Sequence, residues 1–184
     1  MGACPGLDKG ARTVRFGRAS PRRRAYSSGV DALLGFLKRR RANVAPFRSP
    51  VSAGIAMARR LRGASLRGSG ERTAALTAFH GSWHEQVDVA FRREEGVLLR
   101  VVRDPVHRER LLREHRLLRA MAEEARRIAD RGSPDRVWVA NLASRLEEHF
   151  RWLDSELLPA VERDVDPDRM DFLLREFERL SARH

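Results

Sequence analysis

Four side chains have the types and spacing to do chemistry together: Glu94, His115, His149 and Asp154. His115 lies four residues after Leu111 and three before Leu118, so on a helix all three share one face. His149 stands three after Leu146, and Glu94 four before Leu98, in segments that echo one another. Asp154 follows His149 by five residues, about 140° further round a helix. A charge taken into a core needs a partner or a metal. Helical bundles build iron sites from side chains on several facing helices. Salt bridges to Arg116 or Arg151 satisfy the same residues, so spacing alone leaves both readings open. His80 and His84 form a second pair, four apart beside Phe79 and Trp83, placed either to share a metal or to face water. His107 sits in the first turn of an expected helix, and His184 is terminal.

The elements that position these residues follow from helix signals. Leu, Ala, Arg and Glu, all strong helix formers, dominate the chain. Ser49-Pro50, Asp104-Pro105, Ser133-Pro134 and Asp166-Pro167 each pair a capping side chain with proline at the first helical position. They predict helix starts near 50, 105, 134 and 167. A further start falls between Gly68 and Arg72, with Ser69 as its cap. The predicted helices cover 50–63, 71–101, 106–131, 134–161 and 167–181. A short helix over 31–41, with Leu33, Leu34, Phe36 and Leu37 as its apolar side, precedes them. Short connections favour antiparallel neighbours. The expected fold is all-α: an up-down-up-down antiparallel four-helix bundle with a C-terminal extra helix and a basic, largely disordered N-terminal arm. The first long helix is noticeably short, so residues before Pro50 have to complete its end of the bundle. The expected boundaries are 1–48 for the arm, 49–162 for the bundle and 163–184 for the last helix.

Two stretches repeat each other across this frame. Phe91-Arg92 and Phe150-Arg151 align, followed by acids at Glu95 and Asp154 and by the pairs Leu98-Leu99 and Leu157-Leu158. An internal echo of this kind marks two equivalent helices. Only the second copy has a histidine before its phenylalanine: His149 stands where the first has Ala90.

Charge separates the arm from the body. Residues 1–50 carry 12 basic and 2 acidic side chains, and residues 51–184 carry 25 and 23. Of the net charge of +12, the arm therefore holds +10 and the body +2. A basic arm attracts nucleic acid or anionic surfaces at long range, or is simply a solvated extension. The single cysteine, Cys4, permits no internal disulfide, so a reducing, cytoplasmic setting is the expectation. No apolar run reaches the roughly 20 residues that span a bilayer. No glycine-rich phosphate loop and no His/Cys nucleophile arrangement is present.

Taken together, the stretches Ala90-Phe91-Arg92-Arg93-Glu94-Glu95, Glu114-His115-Arg116-Leu117-Leu118-Arg119 and His149-Phe150-Arg151-Trp152-Leu153-Asp154 resemble the hemerythrin-like family of HHE cation-binding domains. Val51–Arg62 fits the family's first helix, and the likeness covers about residues 50–162. The family holds a non-haem di-iron centre through histidines and two bridging carboxylates. The resemblance implies that Glu94, His115, His149 and Asp154 keep ligand positions. It also implies losses: Ser52 or Val51 stands where the first helix has its histidine, Ala90 where the second has one, and Leu111 where the third helix would add another ligand. Two imidazoles and two carboxylates are too few for two octahedral irons but enough for one Fe²⁺, Mn²⁺ or Zn²⁺.

The expected function is therefore a metal-binding protein with a reduced, mononuclear non-haem iron or other divalent-metal site, open to a small diatomic ligand. The alternatives are a metal-free bundle that serves as a scaffold or binds a protein partner, and a nucleic-acid-associated protein that uses its basic arm.

Overall fold

The computed structural model describes residues 22–182, together with Gly2. The chain divides into a unit of residues 1–35 and a unit of residues 36–184. Residues 1 and 3–21 of the expected arm, and the side chains of Leu33, Phe36 and Leu37, lie outside the described residues. The second unit is an all-α bundle of four core helices with one more at the C-terminal end.

The first core helix, α1 (Arg22–Ser65), does not begin at Ser49-Pro50. It continues through Pro46 and Pro50 and absorbs the separate short helix expected over 31–41. An interior proline forfeits a backbone hydrogen bond and crowds the preceding turn, at a cost of about 3 kcal/mol. Burial offsets this. Val44, Phe47 and Val51 all enter the core, and each buried apolar side chain of this size contributes about 1.5–3 kcal/mol. Arg48, between them, bonds Asp154 at 2.6 Å and Glu162 at 2.9 Å. The residues before Pro50 thus close that end of the bundle.

The second core helix is built in pieces: α2 (Ser69–Ser82), a π-turn (Trp83–Val87), α3 (Asp88–Val97) and a closing 3₁₀ turn at Leu98–Arg100. Gly68, not Ser69, is its N-cap residue, and the Ser69 hydroxyl instead donates to the Gly132 carbonyl at 3.2 Å. The third is α4 (Pro105–Asp130), capped by Asp104, which accepts from the Val106 amide at 2.9 Å. The fourth comprises α5 (Arg136–Trp152), a second π-turn (Leu153–Leu157) and α6 (Leu158–Asp164). Its cap is Asp135, which accepts from the Trp138 amide at 2.8 Å, two residues beyond the expected Ser133. The extra helix, α7 (Pro167–Ser181), is capped by Asp166.

Trp83, Phe91, Phe150 and a set of leucines from all four core helices fill the interior. Phe91 and Phe150, the paired positions of the internal echo, both reach it, with ring centroids 6.4 Å apart. Two glycines permit close approach. A methyl group on Gly54 of α1 would fall inside the Phe150 ring, and one on Gly96 of α3 would lie 2.6 Å from Phe177 of α7. The second contact seats α7, whose Met170, Leu173 and Leu174 are buried, while Arg100 bonds Glu176 at 2.9 Å. Among the described residues no helix is long and apolar enough to cross a membrane.

Candidate metal centre

Three polar residues are buried at the heart of this apolar core: Glu94 on α3, His115 on α4 and His149 on α5, each with no exposed surface. Helical register puts them there. Glu94 is one turn from the buried Phe91, His115 lies between Leu111 and Leu118, and His149 follows Leu146. One ligand atom from each lies within 4.8 Å of the other two. His115 Nε2 is 2.9 Å from Glu94 Oε2, and His149 Nε2 is 3.7 Å from the same oxygen. Phe91 stacks on the His115 ring at 3.8 Å, and the His149 ring meets it edge-on at 5.0 Å.

The far side of each imidazole is fixed by a carboxylate. His115 Nδ1–H donates to Glu95 Oε1 at 2.8 Å, and His149 Nδ1–H donates to Glu114 Oε2 at 2.9 Å. Arginines hold these carboxylates in turn. Arg119 bonds Glu95 at 2.7 Å and Asp88 at 3.0 Å, and Arg110 bonds Glu114 at 2.7 Å. A carboxylate only accepts, so each Nδ1 carries its proton and each Nε2 is left to present a lone pair to the interior. His115 Nε2 and Glu94 Oε2 then face each other as two acceptors, which requires a proton or a cation between them. Two more interior atoms, Glu94 Oε1 and His149 Nε2, have no hydrogen-bond partner. Buried polar atoms are rarely left unpaired, and a missing ion is one cause. The donor set, three lone-pair atoms converging in a dry core, fits a divalent metal.

Without a cation, protons settle the charge. Burial pushes the Glu94 carboxyl up, but the His115 hydrogen bond and the nearby charge of both imidazoles outweigh it and hold it below the ordinary value. Burial likewise disfavours protonated His149, yet Glu114 and Glu94 together raise it above the ordinary imidazole. Burial also opposes ionised Glu114, and its bonds to His149 and Arg110 overcome that and lower it. For Glu95 the hydrogen bond from His115 dominates. Burial opposes it, Arg119 reinforces it, and the carboxyl falls to about 2.

Asp154 is not part of this cluster. Its side chain is 49% exposed and pairs with Arg48. The internal echo explains why. Glu94 is three residues after Phe91, and three after Phe150 comes Leu153, which is fully buried. The Leu153 amide bonds the His149 carbonyl, so these two side chains lie one helical turn apart on one face. Leu153 therefore occupies the place equivalent to Glu94, while Asp154 matches Glu95. The π-turn that starts at Leu153 departs from the regular register behind the 140° expectation. The other positions where the resemblance implies lost ligands are apolar or turned away. Ala90, Leu111 and Val51 are buried, and Ser52 is exposed.

Glu95 and Glu114 are the residues that sequence reasoning missed. A signal existed: each neighbours a candidate ligand in the chain, Glu95 after Glu94 and Glu114 before His115. Their partners lie 20 and 35 residues away, on other helices. His107 lies 3.4 Å from Asp104, and His80 and His84 lie together on the outside of the bundle.

A family model described as the hemerythrin HHE cation binding domain matches residues 53–161, more than half of the chain. No curated protein and no solved structure matches it. The matched span holds Glu94, His115 and His149 and the helices that carry them, and the chain belongs to the hemerythrin HHE cation-binding domain family.

Proposed function

We propose that this protein holds a single divalent metal ion, iron(II) by analogy with its family, on Glu94, His115 and His149, and presents it to a small diatomic ligand. The observation that carries this reading is the pair of unpartnered interior atoms, Glu94 Oε1 and His149 Nε2, beside imidazoles whose other nitrogens are already tied to carboxylates. Two imidazoles and one carboxylate with open positions are the donor set typical of mononuclear non-haem iron(II), which binds small molecules where the protein leaves coordination open. The chain's own residues do the rest. Glu95 and Glu114 orient the rings and raise their basicity. Phe91 and Leu153 exclude water. Ala90, Leu111 and Leu153 supply apolar surface where further ligands would be needed for a second metal.

A second reading has its own observation. The lowered Glu94 and raised His149 describe a buried ion pair that stands without any metal, as in a structural bundle. Metal content separates the two. Purified under gentle conditions or reconstituted with iron(II), the wild type should carry close to one tightly held ion per chain. His115→Ala and His149→Ala should each lose most of it, with circular dichroism confirming that the helices persist. Metal content unchanged by both substitutions would contradict the proposal and favour the ion pair.

A further inference from the structure

We propose that His80, His84 and Glu123 form a second metal site, on the bundle surface, that takes Zn²⁺ and clips α2 and its π-turn to α4.

The site is separate from the buried centre. His80 and His84 precede Glu94 by 14 and 10 residues, which is about 15–21 Å along a helix. His80 lies near the end of α2, His84 in the π-turn that follows, and Glu123 on α4. One ligand atom from each lies within 4.8 Å of the other two. The histidine rings meet edge to face, with centroids 5.4 Å apart and planes at 89°. Their backbone is anchored from behind by Phe79 and Trp83, both buried in the core. The framework is therefore set, while half-buried His80 and exposed His84 and Glu123 are free to draw together on an ion.

None of the three side chains makes a hydrogen bond or ion pair among the described residues. Of the three arginines one helical turn from Glu123, exposed Arg126 makes no ion pair with it, and the other two are committed elsewhere. Arg119 is held by Glu95 and Asp88, and Arg127 by Glu124. A free carboxylate on a surface this rich in arginine, facing two imidazoles across a helix pair, is what a cation site requires. The donor chemistry sets the metal class. Two imidazole nitrogens with one carboxylate oxygen suit Zn²⁺ and are poor for Mg²⁺ or Ca²⁺, which want all-oxygen shells. Three protein ligands leave the fourth tetrahedral position to water. Because the ligands come from two helices, the bound ion would favour the folded bundle over the unfolded chain.

The test is calorimetric titration of the metal-free full-length protein with Zn²⁺ alone, compared with His84→Ala, Glu123→Gln and, as a marker of the buried centre, His149→Ala. The wild type and His149→Ala should share a binding event that is abolished in His84→Ala and weakened at least about 10-fold in Glu123→Gln, as expected when a ligand is removed. The same event should raise the melting temperature of the wild type and not that of His84→Ala. An isotherm unchanged in either His84→Ala or Glu123→Gln would overturn the three-ligand site. Loss of the event in His149→Ala alone would assign it to the buried centre and would overturn this proposal while leaving the other standing.

Discussion

Glu94, His115 and His149 are the fully buried ionisable side chains among the described residues, and burial leaves them no recourse to water, so each must be satisfied by its neighbours. His115 and His149 solve half of the problem with Glu95 and Glu114, and the other half is the interior they share. Removing one outer carboxylate should therefore act through the imidazole. Glu114→Gln keeps the shape at His149 Nδ1 but loses the charge, and metal affinity measured by chelator competition should fall about 10–100-fold. The outer carboxylates also set the acid behaviour of the metal-free protein. Glu95 has a folded-state value of about 2 against 4.5 ordinarily. Its contribution to stability is therefore complete above the ordinary value and is lost as pH falls toward 2. Glu94 and Glu114, also lowered, act in the same direction. His149, raised, has the opposite sign: its contribution is full below 6.5 and fades as pH rises through the folded value. Urea midpoints of metal-free protein should decline as pH is lowered through this acid range, with a shallower decline in Glu95→Gln. An equally steep decline in that variant would contradict the His115–Glu95–Arg119 account.

At the scale of elements, each core helix has a definite part. The helix pair α2–α3 brings Glu94, α4 brings His115, α5 brings His149, and α1 brings none. Where α1 passes the site it offers Gly54, and the Phe150 ring packs directly on it. Gly54→Ala should push that ring against its neighbours and destabilise the fold by about 1–3 kcal/mol, the usual cost of overpacking a filled core; chemical denaturation measures it. An unchanged midpoint would mean that α1 lies further from α5 than described. Much of this was legible in the sequence. Spacings of three and four residues from Leu98, Leu111, Leu118 and Leu146 turned Glu94, His115 and His149 inward, and Asp104 and Asp166 cap helices as expected. What the sequence hid has physical causes. Ser49-Pro50 read as a helix start, yet burial of Phe47 and Val51 carries the helix through it. Asp154 read as a ligand, yet it is one residue past the inward position taken by Leu153. Pairings such as His149 with Glu114 depend on how helices cross, which spacing within one helix does not encode.

At the scale of the molecule, the positive charge and the buried centre belong to different parts of the chain. Ten of the twelve net charges lie before residue 51, whereas Glu94, His115 and His149 lie in a nearly neutral body. The four-helix frame holds three buried ionisable residues from three helices, with apolar side chains at Ala90, Leu111 and Leu153. The proposed buried centre therefore takes one metal and no second inside the core. X-ray absorption fine structure of the iron(II)-loaded full chain tests it most directly. The expected spectrum shows iron bound to imidazole nitrogen and carboxylate oxygen, with no metal–metal scattering at the roughly 3.5–4 Å of a two-metal site. A clear metal–metal vector, or an iron shell without imidazole, would contradict a single ion held by Glu94, His115 and His149.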